Sequence, residues 1–169
     1  MLVKEACVET VEEAIKAEAN GADQIELCSR LDLDGLTPDF IVIKKVIHSI
    51  KIPVKVMIRC RSGNFSYNEL EISRMIYEIE ECKRLGVNEV TLGCITKINE
   101  IDVVATKLLV EKAYPMDVTF HKAIDLTNDI FKGLDTLSSI NQIKSILTSG
   151  ASSTAEEGLI VLRKIVQKF

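Results

Sequence analysis

Short apolar runs alternate along the whole chain with longer stretches of helical periodicity. Six runs predict β-strands, and most of them are apolar on both faces, as buried parallel strands are. The predicted strands cover residues 2–7, 24–27, 54–59, 89–92, 117–120 and 145–147. Between them, apolar side chains recur every three or four positions, as at Ile72, Met75 and Ile79. The pattern predicts an α/β fold in which helices cover a parallel sheet.

Two architectures can accommodate six strand-helix units. A closed TIM-type (β/α) barrel usually has eight units and about 250 residues, whereas six units in this chain of 169 residues average roughly 28 residues each. We therefore expect residues 1–169 to form a single (β/α)-barrel domain that lacks its C-terminal units. The alternative is an open doubly wound sheet, but no glycine-rich G-x-G-x-x-G loop follows the first predicted strand. Unpaired first and sixth strands would favour a homo-oligomer.

Charge and hydropathy exclude two classes of partner. The chain has 21 basic and 25 acidic side chains and a formal net charge of -4, without a basic stripe, so we expect no nucleic-acid partner. No apolar run approaches the ~18 residues of a membrane span, and an acidic residue interrupts the N-terminus early, so we expect no membrane association. Five cysteines without a CxxC pair are typical of reduced thiols. These features together predict a cytoplasmic protein.

The strand ends carry many polar side chains, and in a barrel these ends form the active face. Glu26 lies in a strand that is otherwise suited to burial, so it needs a cationic partner, and Arg59 on the neighbouring strand is the candidate. One interpretation is a structural ion network of Glu5, Glu26, Arg59 and Arg61 at the barrel mouth. The other is that the same groups bind a small anionic ligand.

The fifth and sixth predicted strands end in further candidates. His121 closes its strand and is followed by Lys122 and Asp125, which suggests a general acid or base with neighbouring charges. We expect Asp125 to orient His121. Ser149, before a predicted helix, offers a backbone N–H group to an anion. If the protein is an enzyme, His121, Glu26 and Asp125 are the predicted catalytic residues.

Two cysteines occupy equivalent positions in the first two units. Cys7 and Cys28 each come at the end of a predicted strand, and these strands are expected to be neighbours. Two close thiolates suit a soft ion such as Cu(I), with Cys94 as an additional candidate. The alternative is that both are buried thiols that never meet a metal, as we expect for Cys60 and Cys82.

An ordered set of motifs resembles the CutC family of copper homeostasis proteins. The motifs are Glu5-x-Cys7 and the segments at 20–28, 35–38, 58–67, 119–125 and 147–150. The resemblance implies a cytoplasmic (β/α)-barrel that binds Cu(I), with Cys7 and Cys28 as metal ligands. Lys122 stands where the family usually has arginine, and the family's following glycine-rich segment is not in the sequence.

Three functions are therefore open. The first is copper homeostasis through Cu(I) bound by cysteine thiolates. The second is a TIM-barrel enzyme acting on a small anionic substrate, with Arg59, Arg61, Lys122 and Ser149 as binding residues. The third is an inactive truncated remnant. Because binding needs only the cysteine pair while turnover needs a closed barrel mouth, we expect copper binding.

Overall fold

The computed structural model describes residues 2–169, which form one six-stranded sheet with its strands in sequence order. All five neighbouring pairs are parallel. The strands are β1 (Glu5–Val8), β2 (Gln24–Leu27), β3 (Val54–Met57), β4 (Glu89–Leu92), β5 (Asp117–Phe120) and β6 (Ile143–Ile146). This arrangement confirms the predicted α/β class, and the bounds of β2, β4 and β5 match those expected from the sequence.

A helix follows every strand. The helices are α1 (Val11–Ala19), α2 (Phe40–Ser49), α3 (Glu69–Arg84), α4 (Val103–Ala113), α5 (Ile130–Ser138) and α6 (Leu159–Lys168). Two of them begin with a reciprocal capping box, in which the cap side chain and a glutamate three residues later satisfy each other's backbone N–H groups. These pairs are Thr10 with Glu13 before α1 and Asn68 with Glu71 before α3.

The two faces of the sheet have different chemistry. Apolar side chains such as Ile25, Val56 and Val90 are fully buried with residues of the helices, including Ile43 and Met75. Because side chains alternate along a strand, the intervening positions point to the opposite, concave face. There the chain buries polar groups instead, namely Glu26, Lys55, Arg59, Thr91, Thr119 and His121. The concave face therefore holds the candidate chemistry.

The sheet curves so that its first and last strands line the same cavities. At one end, Cys7 of β1 and Leu147 after β6 line one cavity. At the other end, Glu5 of β1 and Ser145 of β6 line another. This curvature is that of a barrel rather than of a flat doubly wound sheet.

Within residues 2–169, β1 and β6 each have a neighbour on one side only. The expected homo-oligomer and the expected single domain lacking C-terminal units stay predictions. No helix in the described part of the chain is long and apolar enough to cross a membrane.

Candidate functional site

A cavity of about 720 Å³ lies at the carboxyl ends of the strands. Its wall contains charged, thiol and apolar side chains. The lining residues are Cys7, Glu26, Cys28, Leu31, Asp34, Met57, Arg59, Phe65, His121, Lys122, Asp125, Leu126, Leu147, Ala151, Ser152 and Ser153. The cavity therefore brings together seven of the nine residues selected from the sequence, while Arg61 and Ser149 are not among its lining residues.

Cys7 and Cys28 form a thiol pair at one side of this cavity, with their sulfur atoms 3.6 Å apart. The register of the sheet produces the pair, because Cys7 aligns with Glu26 across β1 and β2, and Cys28 follows two residues later. Gly35, at φ +82°, allows the loop after β2 to lie close to the Cys28 sulfur, since a Cβ there would be 3.3 Å from that atom. Cys28 is buried and Cys7 is exposed.

Among residues 2–169, Glu26 and the two cysteines form a cluster of potential metal ligands. One ligand atom from each of Cys7, Glu26 and Cys28 lies within 4.8 Å of the others. Contact with Cys7, together with burial, raises the pKa of the Cys28 thiol well above its usual value. A metal ion at this position must therefore displace a proton from Cys28. Cys94 is not part of this group: it is buried, and its neighbours include Asp102 and Cys60.

The carboxylate of Glu26 is 5% exposed and accepts a 2.8 Å hydrogen bond from the Thr91 hydroxyl. Burial raises its pKa, and the nearby Lys55 ammonium partly opposes that rise. The prediction that Arg59 pairs with Glu26 is wrong. A hydroxyl from β4 takes that place because the Arg59 side chain extends beyond the sheet into the loops.

The predicted network of Glu5, Glu26, Arg59 and Arg61 at the barrel mouth is also wrong. Glu5 lies at the opposite end of the strands, where the buried Lys55 ammonium bridges it to Glu89 at 3.0 and 3.1 Å. Lys55 occupies the concave face because it alternates with Val54 and Val56, which face the helices. The ion network therefore belongs to the amino end of the sheet.

The two arginines mainly hold loops. Arg59 is 2% exposed, and its Nη1 donates to the carbonyls of Leu33, Asp34 and Gly35, while Nη2 donates to Gly63. Arg61 pairs with Glu71 at the start of α3 and donates to the 62–66 loop. Arg59 thus fixes the loops after β2 and β3, Arg61 fixes the loop after β3, and Arg59 also lines the cavity.

His121 lies at the end of β5 and is 3% exposed. Its Nδ1 accepts a 3.2 Å hydrogen bond from the Ala123 N–H group. Burial, helped by the nearby Arg59 cation, lowers the pKa of the imidazole to about 3. The ring is therefore neutral near pH 7, and it packs 4.7 Å from the Phe65 ring, measured between centroids.

Asp125 does not orient His121, contrary to our expectation. Its carboxylate instead accepts hydrogen bonds from the Thr148 hydroxyl and from the backbone N–H groups of Ser149 and Ala151, the last two at 2.8 and 2.9 Å. Ser149 thus gives to Asp125 the N–H group that was expected to bind an anion. Lys122 lines the cavity beside His121.

Sequence reasoning missed three contributors to the site. Met57 and Phe65 form apolar wall, and Thr91 supplies the hydrogen bond to Glu26. Because side chains alternate between the two faces along β3 and β4, Met57 and Thr91 could have been assigned to the concave face from the sequence. Phe65 belongs to a loop, and no sequence period predicts where a loop residue packs.

Comparisons with known proteins show which family the chain belongs to. A family model described as the CutC family matches residues 2–169. The chain belongs to the CutC family. A Histophilus somni CutC family protein is 41% identical over 164 residues, covering 97% of this chain and 67% of that protein. A human relative named copper homeostasis protein cutC homolog is 40% identical over 164 residues, covering 97% of this chain but only 60% of its own length.

A solved CutC structure shares the fold along nearly the whole chain. The crystal structure of CutC from Streptococcus agalactiae superposes with a TM-score of 0.92 at 31% identity, covering 99% of this chain and 82% of that one. The predicted CutC resemblance and the predicted fold class are thereby confirmed.

Proposed function

We propose that this protein binds Cu(I) through the thiolates of Cys7 and Cys28 and thereby serves copper homeostasis in the cytoplasm. The observation that carries the proposal is the 3.6 Å separation of the two sulfur atoms at the edge of an open cavity. The name of the human relative supports the same role. Thiolates are soft ligands that favour Cu(I) over hard divalent ions.

The residues around the pair fit a small soft cation. Cys7 is exposed, so an ion can reach the first sulfur before the buried Cys28 sulfur completes the site. The carboxylate of Glu26 lies close enough to act as a third donor or to accept the displaced proton. A Cys94 ligand is not required.

Titration with Cu(I) against a competing chelator tests the site. The parent protein should take up one ion tightly, and the Cys7→Ser/Cys28→Ser variant should lose that uptake. Cys60→Ala/Cys82→Ala is the matched control, because it removes two buried thiols that belong to the helix-covered core. Equal uptake by the parent and the Cys7/Cys28 variant would contradict the proposal. Excess Mg²⁺ should not displace the copper.

The alternative function, a barrel enzyme acting on a small anionic substrate, is favoured by a different observation. The cavity extends beyond the thiol pair to His121, Arg59 and Lys122, so it has room for an organic molecule as well as for a metal ion. Of the residues predicted to bind such a substrate, Arg59 and Lys122 line the cavity. Catalytic roles for His121, Glu26 and Asp125 stay predictions.

A further inference from the structure

Two buried N–H donors beside the cavity have no hydrogen-bond partner among residues 2–169. They are His121 Nε2 and Arg59 Nε. Both side chains line the cavity, and both pack on Phe65, with the imidazole centroid 4.7 Å and the guanidinium carbon 4.5 Å from the phenyl centroid. An unsatisfied buried donor destabilises a folded protein, so native structures rarely leave two of them together.

The hydrogen bond from the Ala123 N–H group determines the tautomer of His121. Because that backbone N–H donates to Nδ1, the neutral ring must carry its own proton on Nε2. The imidazole, which lines the cavity, therefore carries a buried N–H donor at Nε2, and that atom cannot accept a proton. Gly93 leaves room for the ring in this position, since a Cβ there would lie 2.5 Å from Nδ1 and 2.6 Å from Cε1.

We propose that the cavity binds a small organic monocarboxylate whose oxygens accept hydrogen bonds from His121 Nε2 and Arg59 Nε. This inference rests on the second candidate function above and narrows its substrate class. In this arrangement His121 is a neutral hydrogen-bond donor rather than a general base. It stabilises negative charge on a ligand oxygen, as a preorganised N–H group does in a buried site.

The charges around the donors favour one carboxylate over a phosphate. Arg59 supplies a single buried positive charge, and Lys122 adds an exposed one. The carboxylates of Glu26, Asp34 and Asp125 also line the cavity. A dianion would meet these carboxylates without a second buried cation to compensate it. The remaining wall is apolar at Met57, Phe65 and Leu147, which suits a short hydrocarbon substituent.

NMR of copper-free protein labelled with ¹⁵N-histidine tests the proposal without any variant. The chain has two histidines, so the imidazole spectrum contains His121 and the exposed His48. We expect His121 to show the Nε2–H tautomer, and propionate to shift its Nε2 signal saturably while His48 stays unchanged. Inorganic phosphate and neutral propionamide should produce much smaller shifts.

Substitutions of His121 test whether its Nε2–H donor, rather than the bulk of the ring, binds the ligand. His121→Asn can place its amide oxygen near the position of Nδ1 to accept from the Ala123 N–H group, but its short side chain puts no N–H at the position of Nε2. It should weaken propionate binding by about tenfold or more. The longer His121→Gln side chain can place an amide N–H near the position of Nε2 and should recover part of the affinity. His48→Asn, on the surface of α2, should bind like the parent.

Four results would overturn the inference. These are an Nδ1–H tautomer, an Nε2 signal that propionate leaves unchanged because only a buried water satisfies it, equal binding by His121→Asn, and tighter binding of phosphate than of propionate. Since the experiment contains no copper, each of these results leaves the Cu(I) proposal standing, and failure of copper uptake would leave this one standing.

Discussion

The hydroxyl of Thr91 in β4 donates a 2.8 Å hydrogen bond to the carboxylate of Glu26 in β2, across the intervening strand β3. Curvature of the sheet brings these two side chains together, because strands that are not neighbours meet on a concave face. The bond helps to hold a buried carboxylate beside the two thiols. It therefore links the packing of the barrel interior to the candidate metal centre.

Thr91→Val should destabilise the protein by about 1–3 kcal/mol, because it leaves the Glu26 carboxylate with one hydrogen bond fewer. Thr106→Val is the matched control. Both threonines are fully buried, but the Thr106 hydroxyl has no partner within the described chain. Its replacement should be neutral or stabilising. Urea unfolding of the two variants measures the contrast, and equal losses would refute the importance assigned to the Thr91 bond.

The stability of the protein should depend on His121 below pH 6.5. Its pKa is about 3 in the folded state and 6.5 in the unfolded chain, so the unfolded state binds more protons in this window. Stability should therefore fall as the pH falls, by about 1.4 kcal/mol per pH unit from this group. The difference in unfolding free energy between the parent and His121→Asn should change by roughly 2 kcal/mol between pH 6.5 and 5.

The same measurement can contradict this prediction. If His121→Asn preserves the parent's slope of stability against pH, the imidazole does not titrate as its burial requires.

Gly93→Ala should displace the imidazole of His121, because the new Cβ would lie 2.5 Å from Nδ1. We expect a loss of about 1–3 kcal/mol in stability from overpacking, together with altered His121 resonances. Gly133→Ala is a useful comparison, since its Cβ would crowd the Ile124 side chain instead, at 2.6 Å. It should lower stability but perturb the His121 signals much less.

Asp125→Ala should loosen the loop after β6. The carboxylate accepts the N–H groups of Ser149 and Ala151, and both would lose their partner. Hydrogen exchange at these two amides should accelerate, and stability should fall by about 1–3 kcal/mol. Asp135→Ala, which removes an exposed carboxylate paired with Lys168, should change stability by less than about 1 kcal/mol. Unchanged exchange at Ser149 would argue against the anchoring role of Asp125.

Several features of the site could be predicted from the sequence because they depend on strand order. Cys7 and Cys28 follow the ends of consecutive strands, and a parallel sheet with strands in sequence order makes such ends neighbours. His121 was identified in the same way. The partners of Glu26 and Asp125 could not be predicted, because Thr91 and Thr148 come from elements 65 and 23 residues away along the chain. Only the three-dimensional packing of the interior determines which of these distant residues become partners.

By itself, the sequence determined the alternation of strands and helices, the parallel sheet and the thiols at its carboxyl edge. The periodicity of apolar residues and the order of the elements along the chain can be read directly from the sequence. The tertiary structure decided which charges meet: Lys55 joins Glu5 and Glu89 at the amino end, and Arg59 holds loops instead of Glu26. It also decided the protonation of His121, since burial and the Ala123 N–H group act on the ring only after folding. The physical reason is that ion pairing and pKa depend on distance and solvent exclusion, which chain order does not encode.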